Sequence, residues 1–182
     1  MHILVTRRLT LRPPSRFDAE DIALWLSNFN VARNLTRVPF PYSRTDAEDW
    51  IAGLADNPKA LVYTIHRERL IGVVSIEGTG PEPALGYWLA EHSHGRGYMT
   101  EAARALIGQV FAARAIGAVR SAVFVDNKGS QRVQEKLGFA IAGAQTLWSN
   151  PRNEMVPAFR TRLTRTAFEA ASAPLAPAGM AA

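Results

Sequence analysis

The sequence contains no cysteine, which excludes disulfide bonds, thiolate metal sites and a catalytic thiol. Histidine is scarce as well, and its four residues form no convincing metal-binding set with carboxylates, so we expect no metal. No apolar run approaches the roughly 20 residues that span a bilayer. The first residues also lack the apolar core and cleavage site of a signal peptide. We therefore expect a cytoplasmic protein that has no membrane partner.

Lysine is rare, so the net charge of +5 is carried almost entirely by arginine. Guanidinium groups suit phosphates, which makes nucleic acid a partner to consider. The arginines are nevertheless spread along the chain, as on an ordinary solvated surface, and this argues against nucleic acid as the main partner. We expect Arg160, Arg162 and Arg165 to alternate along one strand face, and a ribosome or RNA contact there stays an alternative.

The length of 182 residues and the hydrophobic fraction of 47% are typical of one globular domain. We place that domain at residues 1–168 and expect the Ala/Pro-rich residues 169–182 to be a disordered tail. The hydrophobic patterns predict an α/β (α+β) protein, because strands and helices are mixed without a regular alternation.

The first half of the chain is predicted to contain one strand, two helices and a hairpin. The strand covers residues 3–13 and stops at the proline pair that follows. We expect Asp18 to cap a helix over residues 19–28, and Thr45 to cap a second helix before Pro58. Two β-rich runs around a polar turn at residues 67–69 predict the hairpin.

The second half is predicted to contain a strand at "ALGYWLAE", a long helix after Gly97, another strand, a short helix that stops at Gly138, and a closing strand pair. Apolar residues recur along the long helix at the spacing of one buried face. These residues are Ala103, Leu106, Ile107, Val110 and Phe111.

Two short motifs in this half could bind a ligand. Gly95-Arg96-Gly97 lies between a strand and a helix, where glycines let the backbone approach an anion and the first helical N–H groups lack partners. The alternative is a tight turn that needs glycine. Asn127 and Ser130 follow the next strand, and the alternative for both is a helix cap.

In order and spacing, "ALGYWLA", "GRGYMTEAA" and "N-x-x-S-x-x-x-x-x-K-L-G-F" together resemble the GNAT acetyltransferase superfamily. The stretches "TRRLTLRPPSRFDAEDIALWL" and "RVPFPYSRTDAEDWI" look like its RimJ/RimL-type subgroup of ribosomal-protein N-terminal acetyltransferases. The resemblance covers residues 6–165. It implies a single GNAT domain with a mixed, mostly antiparallel sheet of seven strands, about four helices, and splayed central strands that form an acetyl-CoA groove.

The resemblance also implies which residues contact acetyl-CoA. The pantetheine arm would pair with the strand that contains Trp88, Leu89 and Ala90, and the pyrophosphate would bind the glycine loop, where His92 replaces the usual Gln or Arg. The remaining implied contacts are Gly95, Arg96, Gly97, Tyr98, Met99, Asn127 and Ser130.

Direct acetyl transfer needs a base for the amine and a proton for the departing thiolate. Many GNAT enzymes supply that proton from a tyrosine seven residues after the asparagine, where this chain has Gln134. In the RimJ/RimL type the implied acid is Ser130. Glu77, at the end of a strand, is our candidate base, and its alternative is a solvent-facing charge. Further base candidates are Glu91, Glu154 and His92.

The acceptor side is expected at the two N-terminal helices and "RVPFPY", with Trp25, Phe40 and Tyr42 as pocket residues. The alternative is that these aromatic side chains only pack in the core or in a loop. We expect an N-acetyltransferase that uses acetyl-CoA and acts on a primary amine, either the α-amine of a protein N-terminus or a small molecule. The alternatives are a non-catalytic acyl-CoA sensor and a ribosome- or RNA-surface binder. We expect a monomer or a homodimer.

Overall fold

A computed structural model of the chain describes residues 2–57 and 59–173. Its strands are β1 Leu4–Val5, β2 Thr10–Arg12, β3 Leu61–His66, β4 Leu70–Glu77, β5 Ala84–Leu89, β6 Ala118–Phe124, β7 Ala140–Ser149 and β8 Glu154–Thr164. Its α-helices are α1 Ala19–Leu26, α2 Phe29–Ala32, α3 Arg44–Gly53, α4 Tyr98–Ala113, α5 Lys128–Leu137 and α6 Arg165–Ser172. Short 3₁₀ turns lie at Arg16–Asp18, Leu54–Asp56 and Glu91–Ser93.

The strands form one sheet in the order β1-β2-β3-β4-β5-β6-β8-β7. Neighbouring strands are antiparallel except β5 and β6, which are parallel. The mixed, mostly antiparallel sheet is confirmed, but the prediction of seven strands is wrong, because the described residues form eight. The N-terminal stretch folds back on itself at a turn closed by the Thr6 N–H and the Leu9 carbonyl (2.9 Å), and so gives two strands instead of one.

The two faces of the sheet carry separate hydrophobic clusters. The larger cluster packs α4, α5 and α6 against one face, which we call the back face, and it contains the predicted apolar stripe of α4. The smaller cluster packs α1, α2 and α3 against the other, front face. Each fully buried Leu, Ile or Phe side chain contributes about 1.5–3 kcal/mol to the free energy of folding. The two clusters therefore stabilise the central strands from both faces of the sheet.

The prediction of about four helices is also too low. Asn28 caps the short α2, and Thr164 caps α6 by accepting the Ala167 N–H at 3.1 Å. The predicted domain boundary at residue 168 therefore falls inside a helix, and residues 169–172 are helical. Alanine favours a helix, and the proline that would end it comes only at residue 174. The rest of the predicted tail, residues 174–182, lies outside the described residues.

The two predicted helix caps have different outcomes. Ser43, and not Thr45, caps α3, and its backbone N–H donates to the Asp46 carboxylate at 2.8 Å. Asp18 lies at the N-cap position of α1 as predicted, but its side chain makes no capping hydrogen bond there, and α1 ends at residue 26 rather than 28. Its carboxylate instead accepts the Ser15 N–H at 2.7 Å and both Nη groups of Arg12, at 2.6 and 2.8 Å. These bonds fasten the start of α1 to β2.

The buried Asp18 carboxylate should make stability depend on pH. Burial alone would raise the pKa of Asp18, but the hydrogen bonds from Arg12 and Ser15 outweigh it and hold that pKa below its ordinary value. A carboxyl group with a lowered folded-state pKa stabilises the protein above its unfolded pKa, and this contribution is lost as the pH falls through the folded value.

We expect Asp18→Asn to lower the free energy of unfolding at neutral pH by about 1–3 kcal/mol, since charge-assisted hydrogen bonds are lost. Urea denaturation measures the difference, which should shrink as the pH falls below about 4. The exposed carboxylate Glu68 in the β3–β4 turn provides the control, Glu68→Gln. A difference between wild type and Asp18→Asn that stays constant into the acid range would contradict the assignment to charge.

Candidate functional site

A wedge between β5 and β6 forms the centre of the site. The two parallel strands are paired at Ala84 and Arg120 and then separate toward their carboxyl ends. At the narrow end, the Ser121 hydroxyl donates to the Leu85 carbonyl at 2.9 Å and closes the gap. A cleft of about 1250 Å³ follows the wedge and continues across the front face toward β8. The predicted splayed strands are therefore present and open into a groove.

A glycine bend lies at the open end of the wedge, just before α4. Gly95 and Gly97 have φ angles of +73° and +77°, which side chains rarely tolerate, and both line the cleft. Within the described part of the chain, none of the backbone N–H groups of residues 95–100 has a hydrogen-bond acceptor. These donors lie at the positive end of a 16-residue helix. The bend can therefore bind an anion through its backbone.

The N-terminal strands hold the bend in place from outside. Arg8 donates through Nη1 to the Arg96 carbonyl at 3.1 Å and through Nε to the Glu101 carboxylate at 2.7 Å. Arg96 itself does not line the cleft, and the side chains of Tyr98 and Met99 are buried in the larger cluster. Tyr98 and Met99 do border the cleft. Because their side chains are buried, only their backbone groups are available to contact a ligand.

The predicted pantetheine strand is only partly in the cleft. Trp88 and Leu89 line it, whereas Ala90 is fully buried and its N–H donates to the Ile71 carbonyl at 2.8 Å. The strand bends away into the 3₁₀ turn at this point, which removes Ala90 from the groove. Ala90 therefore does not line the cleft in this structure.

Asn127 and Ser130 both line the cleft at the start of α5. The Asn127 side-chain oxygen accepts the Ser130 N–H at 3.0 Å, so Asn127 caps the helix. Among the described residues its amide nitrogen has no acceptor and can still donate to a ligand. The cap and the ligand contact are thus compatible, because they use different atoms of the same side chain.

The Ser130 hydroxyl lies 2.7 Å from the hydroxyl of Tyr87, a residue of β5 that the sequence analysis did not single out. Burial raises the pKa of Tyr87 to about 12, against the opposing effect of its hydrogen bond with Ser130. Tyr87 is therefore protonated at neutral pH and keeps a proton to donate. Gln134 is buried nearby and donates to the Ser121 hydroxyl at 3.1 Å. A tyrosine hydroxyl is thus present beside Ser130, but it comes from β5 and not from position 134.

Glu77 lies at the end of β4, opposite Ala84, and it lines the cleft. Its carboxylate accepts the Ser75 hydroxyl at 3.1 Å and pairs with Arg37 at 3.2 Å. Of the other base candidates, Glu91 also lines the cleft but accepts hydrogen bonds from the Asn28 and Asn30 side chains. His92 and Glu154 do not line it, and the His92 ring packs on Trp25 with centroids 4.7 Å apart.

The three predicted acceptor residues do not line the cleft. The Trp25 Nε1 donates to the Leu70 carbonyl at 3.0 Å, Tyr42 is buried in the smaller cluster, and Phe40 packs edge-on against Phe29. The contacts of these side chains in the structure are those of the packing alternative. The front wall is built instead by α2 and the loop after it, residues 30–37, which includes the first residue of "RVPFPY".

The arginines at the end of the chain do not form one row. Arg160 and Arg162 lie on the same face of β8, but Arg165 begins α6, and its guanidinium stacks on the Phe111 ring at 5.0 Å on the back face. No described helix is long and apolar enough to cross a membrane. Over the same residues, no three side chains of metal-ligating types form a cluster.

Residues 8–140 match the profile of the acetyltransferase (GNAT) domain family, which is more than half of the chain, and the protein belongs to this family. The predicted family is therefore confirmed. A Bacillus subtilis relative, named Probable N-acetyltransferase YjcK, is 37% identical over 82 residues. That match covers 43% of this chain and 45% of the relative, so the chain spans less than half of the relative's length.

Solved structures share the fold at low sequence identity. The ribosomal-protein-S5-alanine acetyltransferase of Vibrio fischeri superposes with a TM-score of 0.78 at 19% identity, covering 90% of this chain and 97% of the other. The microcin C7 self-immunity acetyltransferase MccE, in complex with acetyl-CoA and AMP, gives 0.76 at 23% identity, covering 87% and 93%. A ribosomal-protein acetyltransferase is thus among the proteins with the same fold.

Proposed function

We propose that the protein transfers an acetyl group from acetyl-CoA to a primary amine, and that the acceptor is an α-amine of a protein N-terminus or of a small molecule. The observation that carries the proposal is the run of unpaired N–H groups at residues 95–100, at the open end of the wedge. A diphosphate bound there would direct the rest of the coenzyme along β5 toward Asn127 and Ser130.

In the proposed reaction, the two proton transfers take place on opposite faces of the sheet. Glu77 lies on the front face, since it pairs in register with Ala84, whereas Tyr87 points to the back face, where it contacts Ser130 of α5. An amine that arrives from the front would form its new C–N bond as the C–S bond breaks toward the back. Glu77 would accept the amine proton, directly or through water, and the Ser130–Tyr87 pair would supply a proton to the thiolate.

The acceptor is proposed to be an α-amine because this amine demands less of the base, and the candidate base Glu77 is already paired with Arg37. An α-amine has a pKa near ~7.8 and a lysine side chain near ~10.4, so deprotonation at neutral pH costs roughly 3.5 kcal/mol less for the α-amine. A modest base, or a water chain that ends at Glu77, suffices for the α-amine.

Thermal melting with acetyl-CoA tests the coenzyme half of the proposal. A ligand present at 100 times its Kd stabilises the native state by about 2.7 kcal/mol. For a domain of this size, that corresponds to a rise of roughly 5–10 °C in the melting temperature. Adenosine at the same concentration is the control, since it lacks the diphosphate. An unchanged melting temperature at millimolar acetyl-CoA would refute the proposal.

Thiol release across a panel of amines and peptides tests the transfer itself. We expect release that depends on the acceptor, with α-amines faster than lysine side chains. Stabilisation by acetyl-CoA without release from any acceptor would favour a non-catalytic acyl-CoA sensor.

A further inference from the structure

The front part of the cleft has a floor of small residues bordered by arginines. In-register pairs place Glu77, Ala84, Arg120 and Arg162 in one row across β4, β5, β6 and β8. Gly86 and Ala122 lie on the same face in the next row. Ala84, Gly86 and Ala122 have small side chains or none. Glu77, Arg120 and Arg162 carry long side chains. The floor therefore leaves space for a molecule above it.

Three of the arginines form a cationic group, which we call the arginine patch: Arg120, Arg160 and Arg162. Arg120 and Arg162 are directly opposite each other, and Arg160 lies two residues before Arg162 on the same face. Like charges opposite each other on a sheet are destabilising. One carboxylate, Glu82, lies among them and binds the Arg162 guanidinium at 2.7 Å. The patch therefore keeps a net positive charge.

Within the described part of the chain, the Arg160 side chain has no partner, in contrast to its neighbours. Arg120 donates through Nε to the Glu82 carbonyl at 3.1 Å, while the Arg160 guanidinium makes no hydrogen bond or ion pair with any described residue. It lies over Gly143, at an irregularity in the pairing of β7 and β8. A Cβ atom at Gly143 would be 2.6 Å from Arg160 Nη2, so the glycine makes room for the guanidinium. Gly143 therefore leaves the space over β7 in which the Arg160 guanidinium lies.

The patch is separate from the glycine bend. Ala84, opposite Arg120, is five residues before the end of β5, which is about 16 Å along the strand. A diphosphate at the bend therefore does not reach the patch. In the other direction, Arg120 is two strands from Glu77, a lateral distance of about 10 Å.

From this geometry we infer that the arginine patch binds an anionic group of the acceptor, a carboxylate or a phosphate that lies about 10 Å from the reacting amine. This role rests on the acetyl transfer proposed above, and it narrows the acceptor to amines that carry such a group. An extended peptide spans about 3.3–3.6 Å per residue. The anionic side chain would therefore belong to residue two, three or four, where the residue with the free amine is residue one.

Matched peptides test the inference. Asp or phosphoserine is placed at position two, three or four of an otherwise neutral peptide, with Asn or Ser in the paired control. We expect kcat/KM for the anionic member to be about tenfold higher or more at one of these positions, since charge-assisted bonds are the stronger ones. Carboxylate and phosphate peptides distinguish the two sources of the anion, and preference for either supports the inference.

Variants assign the preference to the patch. Arg160→Gln should reduce the preference by about tenfold while changing neutral peptides less than about twofold. Gly143→Ala keeps the arginine but displaces its guanidinium, and it should reduce the preference in the same direction. Arg7→Gln, an exposed arginine outside the cleft, is the matched control and should keep the preference.

Two failures can be told apart. Acetylation of anionic and neutral peptides at equal rates would overturn the role of the patch and leave the transferase intact. Absence of acetylation with every peptide would instead refute the proposed function. A preference that survives in Arg160→Gln would also overturn the inference.

Discussion

Replacing Ser130 with alanine should lower kcat by roughly 10²–10⁴-fold, the range over which a positioned proton donor acts. The backbone N–H of residue 130 still donates to Asn127 in the variant, so the cap of α5 is kept. Acetyl-CoA should therefore raise the melting temperature of Ser130→Ala about as much as that of the wild type. Steady-state thiol release and melting curves measure the two effects separately.

Tyr87→Phe is the companion variant, because it removes the hydroxyl 2.7 Å from Ser130 and keeps the ring. We expect a smaller loss of kcat, about tenfold to a hundredfold, since the serine hydroxyl stays in place. Ser172→Ala, at the exposed end of α6, controls for loss of a serine hydroxyl. If Ser130→Ala weakened coenzyme binding as much as turnover, Ser130 would be a binding group and not a proton donor.

Substituting Gly97 with alanine should weaken acetyl-CoA binding by roughly tenfold to a hundredfold, which corresponds to the loss of one charge-assisted hydrogen bond. The φ angle of +77° is unfavourable for alanine by about 1–2 kcal/mol. The bend relaxes from this conformation, and the N–H groups of residues 95–100 lose their common direction toward the ligand. Isothermal titration calorimetry with CoA measures the change.

Gly78→Ala is the matched control for the backbone cost. Gly78 has a φ angle of +100° in the loop after β4, and it does not line the cleft. Both variants should lose stability to a similar extent, but Gly78→Ala should bind CoA like the wild type. Equal weakening in the two variants would show that general destabilisation, and not the bend, controls the affinity.

The parts of the site that depend on local sequence could be predicted. Two glycines directly before a helix favour a left-handed bend, whatever the rest of the chain contacts. An asparagine three residues before a serine can likewise cap a helix without any distant contact. The α4 stripe was predictable for the same reason, since its period is a property of the helix alone.

The parts that depend on distant contacts could not be predicted. Tyr87 meets Ser130 only because the wedge brings β5 beside α5, and the two residues are 43 positions apart in the sequence. Trp25 and Tyr42 have the aromatic character of pocket residues, but the same character suits the packing of α1 and α3 on the sheet. The arginine patch likewise depends on the register of β6 and β8, which no local pattern specifies.

The single parallel junction divides the sheet into a five-stranded plate, β1 to β5, and a three-stranded plate, β6 to β8. Along most of their facing edges these plates have no ladder between them, and α4 provides the covalent connection. A coenzyme whose amide groups bond to one edge while its reactive end contacts the other would act as the missing strand. Loading the enzyme would then also stiffen it, because the same molecule that brings the acetyl group would join the two plates.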